Sequence, residues 1–244
     1  MDRSEIEIGA EALDMTVGSI VADDYRTARV FEDHGIDFCC GGLVTLSAAC
    51  LAKNLDPRLL LDDLGSARQT PADRSQNFAA WELPFLADFI VNTHHSWLRE
   101  NDPAIVASTA KIASVHGLNH PELVEISRLF AKIAADMIGH LKEEEEVLFP
   151  AVRRLAEARK SGSPINPADK ALIAGSLASL GRDHEEIGAA THEIGRLSAN
   201  YALPPDACTT YTLAFRRLAE FEEDLHRHVH LENNILFPKA AALA

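Results

Sequence analysis

The sequence predicts an all-α protein: an up-down four-helix bundle over residues 71–244, preceded by a small helical domain over residues 1–70. Three observations predict it. Four long stretches carry apolar residues at helical spacing, separated by loops rich in Gly, Pro, Ser and Asn. Strand-like alternation is missing. The second half of the bundle also repeats the polar residues of the first half at a constant offset.

Taken in order, Thr16 caps a first helix that runs to Gly35. Thr45 caps a second through Asn54, and Asp56-Pro57 opens a third that ends near Gly65. Between the first two lies Asp37-Phe38-Cys39-Cys40-Gly41-Gly42. The polar stretch from Gly65 to Asn77 has the composition of a linker and sets the boundary near Thr70. The bundle helices follow at about Leu83–Arg99, Pro121–Phe149 with a continuation past Pro150, Pro167–Ala199 and Pro204–Ala240.

Composition narrows the function classes. Apolar content of 47% and charged content of 25% suit a globular chain with a substantial core. A net charge of −14 opposes nucleic-acid binding, which needs a positive surface, and docking on anionic lipid. No run of about 18 apolar residues crosses a membrane, and the acidic start lacks a signal-peptide core. The cysteines, Cys39, Cys40, Cys50 and Cys208, do not form a secreted disulfide framework. The expectation is a cytoplasmic protein, monomer or homodimer.

The repeat carries the chemistry. His140-x3-Glu144 and His228-x3-Glu232 are each followed by a Leu-Phe-Pro, and His, Glu, Phe and Pro all recur 88 residues apart. His95 precedes His140 by 45 residues, and His184 precedes His228 by 44. Residues at i and i+4 share a helix face. That face is the apolar stripe, as in Leu218, Phe221, Leu225, His228, Glu232 and Leu236. A buried carboxylate is costly unless paired or metal-bound. Four buried imidazoles with two glutamates therefore fit a binuclear cation centre, and two carboxylates can bridge metals ~3.5–4 Å apart. This donor set suits iron better than thiolate-loving metals, with zinc and manganese left open. In the first bundle helix the apolar phase (Leu83, Leu86, Ile90, Trp97) favours His94, whereas the matched spacings favour His95.

Asp136 and Asp224 each lie four residues before a ligand histidine, which suggests a supporting role for the ring. The other acids of Glu143–Glu146 read as a solvated face. His34, His116, His120, His192, His226 and His230 read as solvated or local, and Cys50 and Cys208 as structural. Adjacent Cys39 and Cys40 are too close for an unstrained disulfide. Beside Gly41-Gly42 they suit metal hand-over, nitrosylation or an intermolecular disulfide, and they are the candidate reactive residues.

Several pieces together resemble the RIC family, the "repair of iron centres" proteins of ScdA or YtfE type. They are Asp37-Phe38-Cys39-Cys40-Gly41-Gly42, His95-x2-Leu98-Arg99-Glu100, His140-x3-Glu144 with Leu148-Phe149-Pro150, His228-x3-Glu232 with Ile235-Leu236-Phe237-Pro238, and Pro204-Pro205-x2-Cys208-Thr209-Thr210. The match covers nearly the whole chain and tips the first ligand to His95. The long connection near Lys160–Lys170 departs from it. The resemblance implies a hemerythrin-like fold with two iron ions in a non-haem, oxo-bridged centre. It also implies a stress protein that restores iron–sulfur clusters damaged by nitric oxide or peroxide, by supplying iron. Its partners would be damaged or apo iron–sulfur proteins and small ligands such as nitric oxide. The rival readings are a nitric oxide or oxygen scavenger or sensor, and a ferritin-like iron oxidase. The cysteine module disfavours the first, and the short ligand set disfavours the second.

Overall fold

The computed structural model describes residues 10–69 and 76–243. The described residues contain helices and one isolated bridge, Thr16 to Thr45, but no strand. The expected boundary at Thr70 lies outside the described residues. The chain forms two compact units. One is built from the described residues up to Glu82 together with Val229–Lys239, the other from Leu83–His228 and the end of the chain.

In the first unit α1 spans Val17–Asp23 and α2 spans Ala28–Asp33, joined by a 3-10 turn at Tyr25–Thr27. The sequence suggested one helix here. Asp24 interrupts it: its backbone is extended and its side chain accepts from Arg26 N, restarting the chain as a cap does. α3, Leu46–Lys53, has the expected Thr45 cap and ends at Asn54 in the left-handed region. α4 spans Pro57–Gln69, so Gly65–Gln69 is helical rather than linker. Leu60 and Leu64 bury one face there, and this favours continuing the helix.

The loop between α2 and α3 is tied down locally. Val17 and Gly18 donate to the carbonyls of Val44 and Gly42 at 2.9 Å each. The Asp37 carboxylate accepts from the backbone N–H groups of Cys39 (2.9 Å) and Cys40 (3.0 Å). Asn234 Nδ2 donates to the Phe38 carbonyl at 3.0 Å, and Asn233 Nδ2 to the Cys39 carbonyl at 3.3 Å.

The first bundle helix is longer than the periodicity predicts, and the last two are slightly shorter. α5 covers residues 83–116, α6 residues 122–161, α7 Pro167–Leu197 and α8 residues 209–243. α5 runs past Arg99 because Ile105 and Ile112 continue its buried face, and Pro103 is accommodated inside it. Three of the four contain a π-helical turn: Val91–His95, Glu144–Leu148 and Leu231–Leu236. Such turns insert one extra residue and cluster at functional sites. In the second unit the core is apolar, with Phe130 of α6 edge-on to Phe221 of α8 at 4.9 Å.

Candidate metal centre

The residues singled out by the repeat come from all four bundle helices. His95 ends the π turn of α5, His140 and Glu144 lie where α6 enters its own, and His184 lies in mid α7. His228 and Glu232 lie four residues apart on α8, with Glu232 inside its π turn. All six are buried, with Glu144, Glu232, His95 and His228 at 0% exposure. Their donor atoms form two overlapping groups, each within 4.8 Å. One contains His95, Glu144, His228 and Glu232; the other contains His140, Glu144, His184 and Glu232. Both glutamates are common to both groups.

The distances show the same division. His95 Nε2 lies 3.2 Å from His228 Nε2, and His140 Nε2 lies 3.0 Å from His184 Nε2. Glu144 Oε2 stands between the pairs, 3.4 Å from His95 Nε2 and 3.5 Å from His140 Nε2. Converging imidazole nitrogens and carboxylates in a dry core fit a shared positive charge, as cations supply. The residues present therefore fit bound metal cations, with these six side chains as the groups that could hold them.

The outward nitrogens are held as metal-binding histidines require. His95 Nδ1 donates to Glu145 Oε1 at 2.7 Å, and Arg99 holds the same oxygen at 2.7 Å. Burial pushes the Glu145 carboxyl up, but hydrogen bonds from His95 and Arg99 outweigh it and hold its pKa below the usual range. His140 Nδ1 faces Asp183 Oδ2 at 3.4 Å. Asp183 also lines a recess of about 300 Å³ with Lys132, Asp136, His140, Glu186 and Ile187.

These supporting acids differ from the expected ones. Asp136 pairs with Lys132 at 2.6 Å, and Asp224 Oδ1 accepts from His94 Nδ1 at 2.8 Å, not from His228. Glu145, assigned to a solvated face, is the partner of His95. A strict helical phase misplaces it because the π turn begins one residue earlier. The same effect at Val91–His95 explains why apolar phase favoured His94. Both histidines are fully buried, but only His95 joins the metal groups. His94 stacks parallel on His228, with ring centres 5.3 Å apart.

His230 was read as solvated or local. It is buried in the first unit, against the rings of Tyr25 and Phe38, and burial lowers its pKa to about 3. Its signal was hidden because it lies on the side of α8 away from the ligand stripe. His192 and His226 stay outside the metal groups.

Cys39 and Cys40 are unbridged. Their sulfurs are 3.9 Å apart, and with Asp37 they form a third group of possible ligands. The neighbouring Cys40 and burial raise the Cys39 thiol well above its ordinary range, which favours its protonated form.

Two family profiles match the chain. The ScdA N-terminal family, described as a domain of unknown function, matches residues 13–68. The hemerythrin HHE cation binding domain matches residues 87–240. The iron–sulfur cluster repair protein ScdA of Staphylococcus haemolyticus is 31% identical over 223 residues, 91% of this chain and 96% of its own length. The iron–sulfur cluster repair protein YtfE of Yersinia pestis is 30% identical over 225 residues, 92% of this chain and 96% of its own. With both profiles in this order and the relatives aligned along nearly the whole chain, the protein belongs to the ScdA/YtfE family, in which an ScdA-type N-terminal domain precedes a hemerythrin-type cation-binding domain.

Proposed function

We propose that this protein repairs iron–sulfur clusters damaged by nitrosative or oxidative stress, supplying iron from a di-iron centre. The centre is held by His95, His140, Glu144, His184, His228 and Glu232. The observation that carries the reading is the pair of histidine couples sharing two buried glutamates. When bound, iron supplies both the cargo and a site for small ligands such as nitric oxide. The chain's own residues set the terms. Glu145 and Asp183 orient the rings of His95 and His140 by holding Nδ1, which leaves Nε2 to face the centre.

Cys39 and Cys40 receive iron in transit. Thiolate bonds of ~2.3 Å at a tetrahedral angle put two sulfurs roughly 3.8 Å apart, and the observed 3.9 Å fits. A protonated Cys39 binds little at rest, so arrival of a cation must displace its proton. The residue after Glu232 holds the Cys39 carbonyl, which joins the thiol loop to the segment carrying a ligand.

The test is metal analysis with Mössbauer spectroscopy on untagged protein, followed by transfer to an apo iron–sulfur protein. Two irons per chain and transfer are expected. Cys39→Ala/Cys40→Ala should keep the di-iron spectrum and slow transfer. One metal per chain would overturn the centre, and equal transfer rates would remove the cysteines. Nitric oxide binding without any transfer would favour the scavenger reading.

A further inference from the structure

The second unit holds another cluster of reactive side chains, away from the metal centre. It lies where α5 ends at His116 and α8 begins at Thr209. His116 is 21 residues after His95, about 30 Å along a helix. Cys208, read from the sequence as structural, is exposed there. His116 Nε2 lies 3.3 Å from its sulfur.

The geometry around the pair is built. The His116 ring meets Tyr211 edge-on at 5.5 Å and His120 at 6.5 Å. His120 is itself held by Asp206 at 3.0 Å and Glu122 at 3.2 Å. Asp206 draws the His120 pKa upward, so a second nitrogen ring with cationic tendency stands behind His116. Cys208 directly precedes α8, where backbone N–H groups point outward and favour negative charge. Among the described residues, the charged or titratable groups facing the sulfur and its partner are thus His116, His120, Tyr211, Glu122 and Asp206.

We propose that Cys208 is a covalent modification site that exchanges with low-molecular-weight disulfides such as oxidised glutathione, with His116 as the positioning base. His116 Nε2 takes the thiol proton. The Cys208 sulfur then attacks one sulfur of the disulfide. The new mixed disulfide forms as the old S–S bond breaks, and the leaving thiolate regains the proton from His116. Cys208 is oxidised to the disulfide level while the departing half is reduced to a thiol. Cys208 is the sole cysteine of the second unit. An external thiol must therefore reverse the adduct.

The chemistry of the other thiols supports selectivity. Backbone N–H groups at Tyr211 and Thr210, with His116, lower Cys208 to about 7. Cys39 and Cys50 are buried and shifted upward, Cys39 chiefly by Cys40 and Cys50 by burial.

The experiment treats the full-length protein with oxidised glutathione and locates adducts by peptide mass mapping across pH. Adduct should form first on Cys208, with a rate that inflects near pH 7. In His116→Gln the backbone N–H groups at Tyr211 and Thr210 remain, so the thiol pKa rises only part of the way toward its ordinary value of ~8.5. The thiolate fraction at pH 7 falls, while each thiolate becomes more nucleophilic. The variant should therefore react up to about threefold more slowly at pH 7 and up to about fourfold faster at pH 9.5. A merely structural role for His116 would not produce that crossover. Earlier modification of Cys40, a native profile with no inflection below pH 8, or equal rates for both proteins at both pH values would overturn the proposal.

Discussion

At the residue scale, one carboxylate decides the most. Glu144 faces histidines from both couples, so its loss removes a donor from both metal groups. Glu144→Ala should lose most of the bound metal, whereas His192→Ala, on an exposed position outside the groups, should retain it; metal content per chain measures both. Glu145 and Asp183 act one bond further out. Removing the group that orients a metal-bound histidine usually weakens metal binding ~10–100-fold. Glu145→Gln should fall in that range, because its contact to His95 is short and shared with Arg99. Asp183→Asn should fall below it, because its contact to His140 is 3.4 Å and half of Asp183 is in water. Competition with a chelator of known affinity ranks the two, and the reverse order would count against these roles.

At the element scale, α8 carries the candidate metal ligands His228 and Glu232, while its Asn234 is held within the first unit by Phe38 and His230. Gly18 has no room for a side chain there: a Cβ would collide with the Asn234 amide and sit 3.0 Å from the Gly42 carbonyl. Moving Asn234 would break its bond to the Phe38 carbonyl. Gly18→Ala should therefore destabilise the protein by about 1–3 kcal/mol, the usual range for overpacking. Asn234→Ala should also destabilise it, but the double variant should cost clearly less than the sum, because removing the amide makes room for the methyl. Denaturant titrations of the four proteins test this. Strict additivity would show that the two positions do not compete for space.

At the scale of the whole molecule, pH-dependent stability reports on buried acids. Asp102 on α5 is largely buried, one of its oxygens has no hydrogen-bond partner, and burial, with the Asp224 charge, pushes its pKa up to about 7. The unfolded chain releases this proton near the ordinary value of ~3.9, the folded chain only near 7. Between those values the unfolded state binds fewer protons, so this group's contribution falls as pH rises and is at its worst above pH 7. Asp102→Asn should melt higher than the native protein at pH 8, with each kcal/mol relieved raising the midpoint ~2–4 °C for a chain of this size. The difference should vanish near pH 4. An unchanged difference across that range would show that Asp102 is not held protonated.

The sequence by itself determined the helical class, the caps at Thr16, Thr45 and Asp56, and five of the residues that converge, His140, Glu144, His184, His228 and Glu232. Periodicity and repetition are local and cumulative, so a pattern duplicated at one offset survives errors in any single helix. What required the tertiary structure was everything that depends on an interrupted phase or a distant partner. Apolar phase pointed to His94 because it assumes an unbroken α-helix, and the π turn at Val91–His95 adds a residue that brings His95 to the centre. Glu145 and Asp183 find their histidines 50 and 43 residues away, on other helices, with no shared spacing to announce them. Cys208 meets His116 across 92 residues. Such pairs arise from how helices cross, and the apolar residues that set those crossings do not encode which polar side chains will meet at their ends.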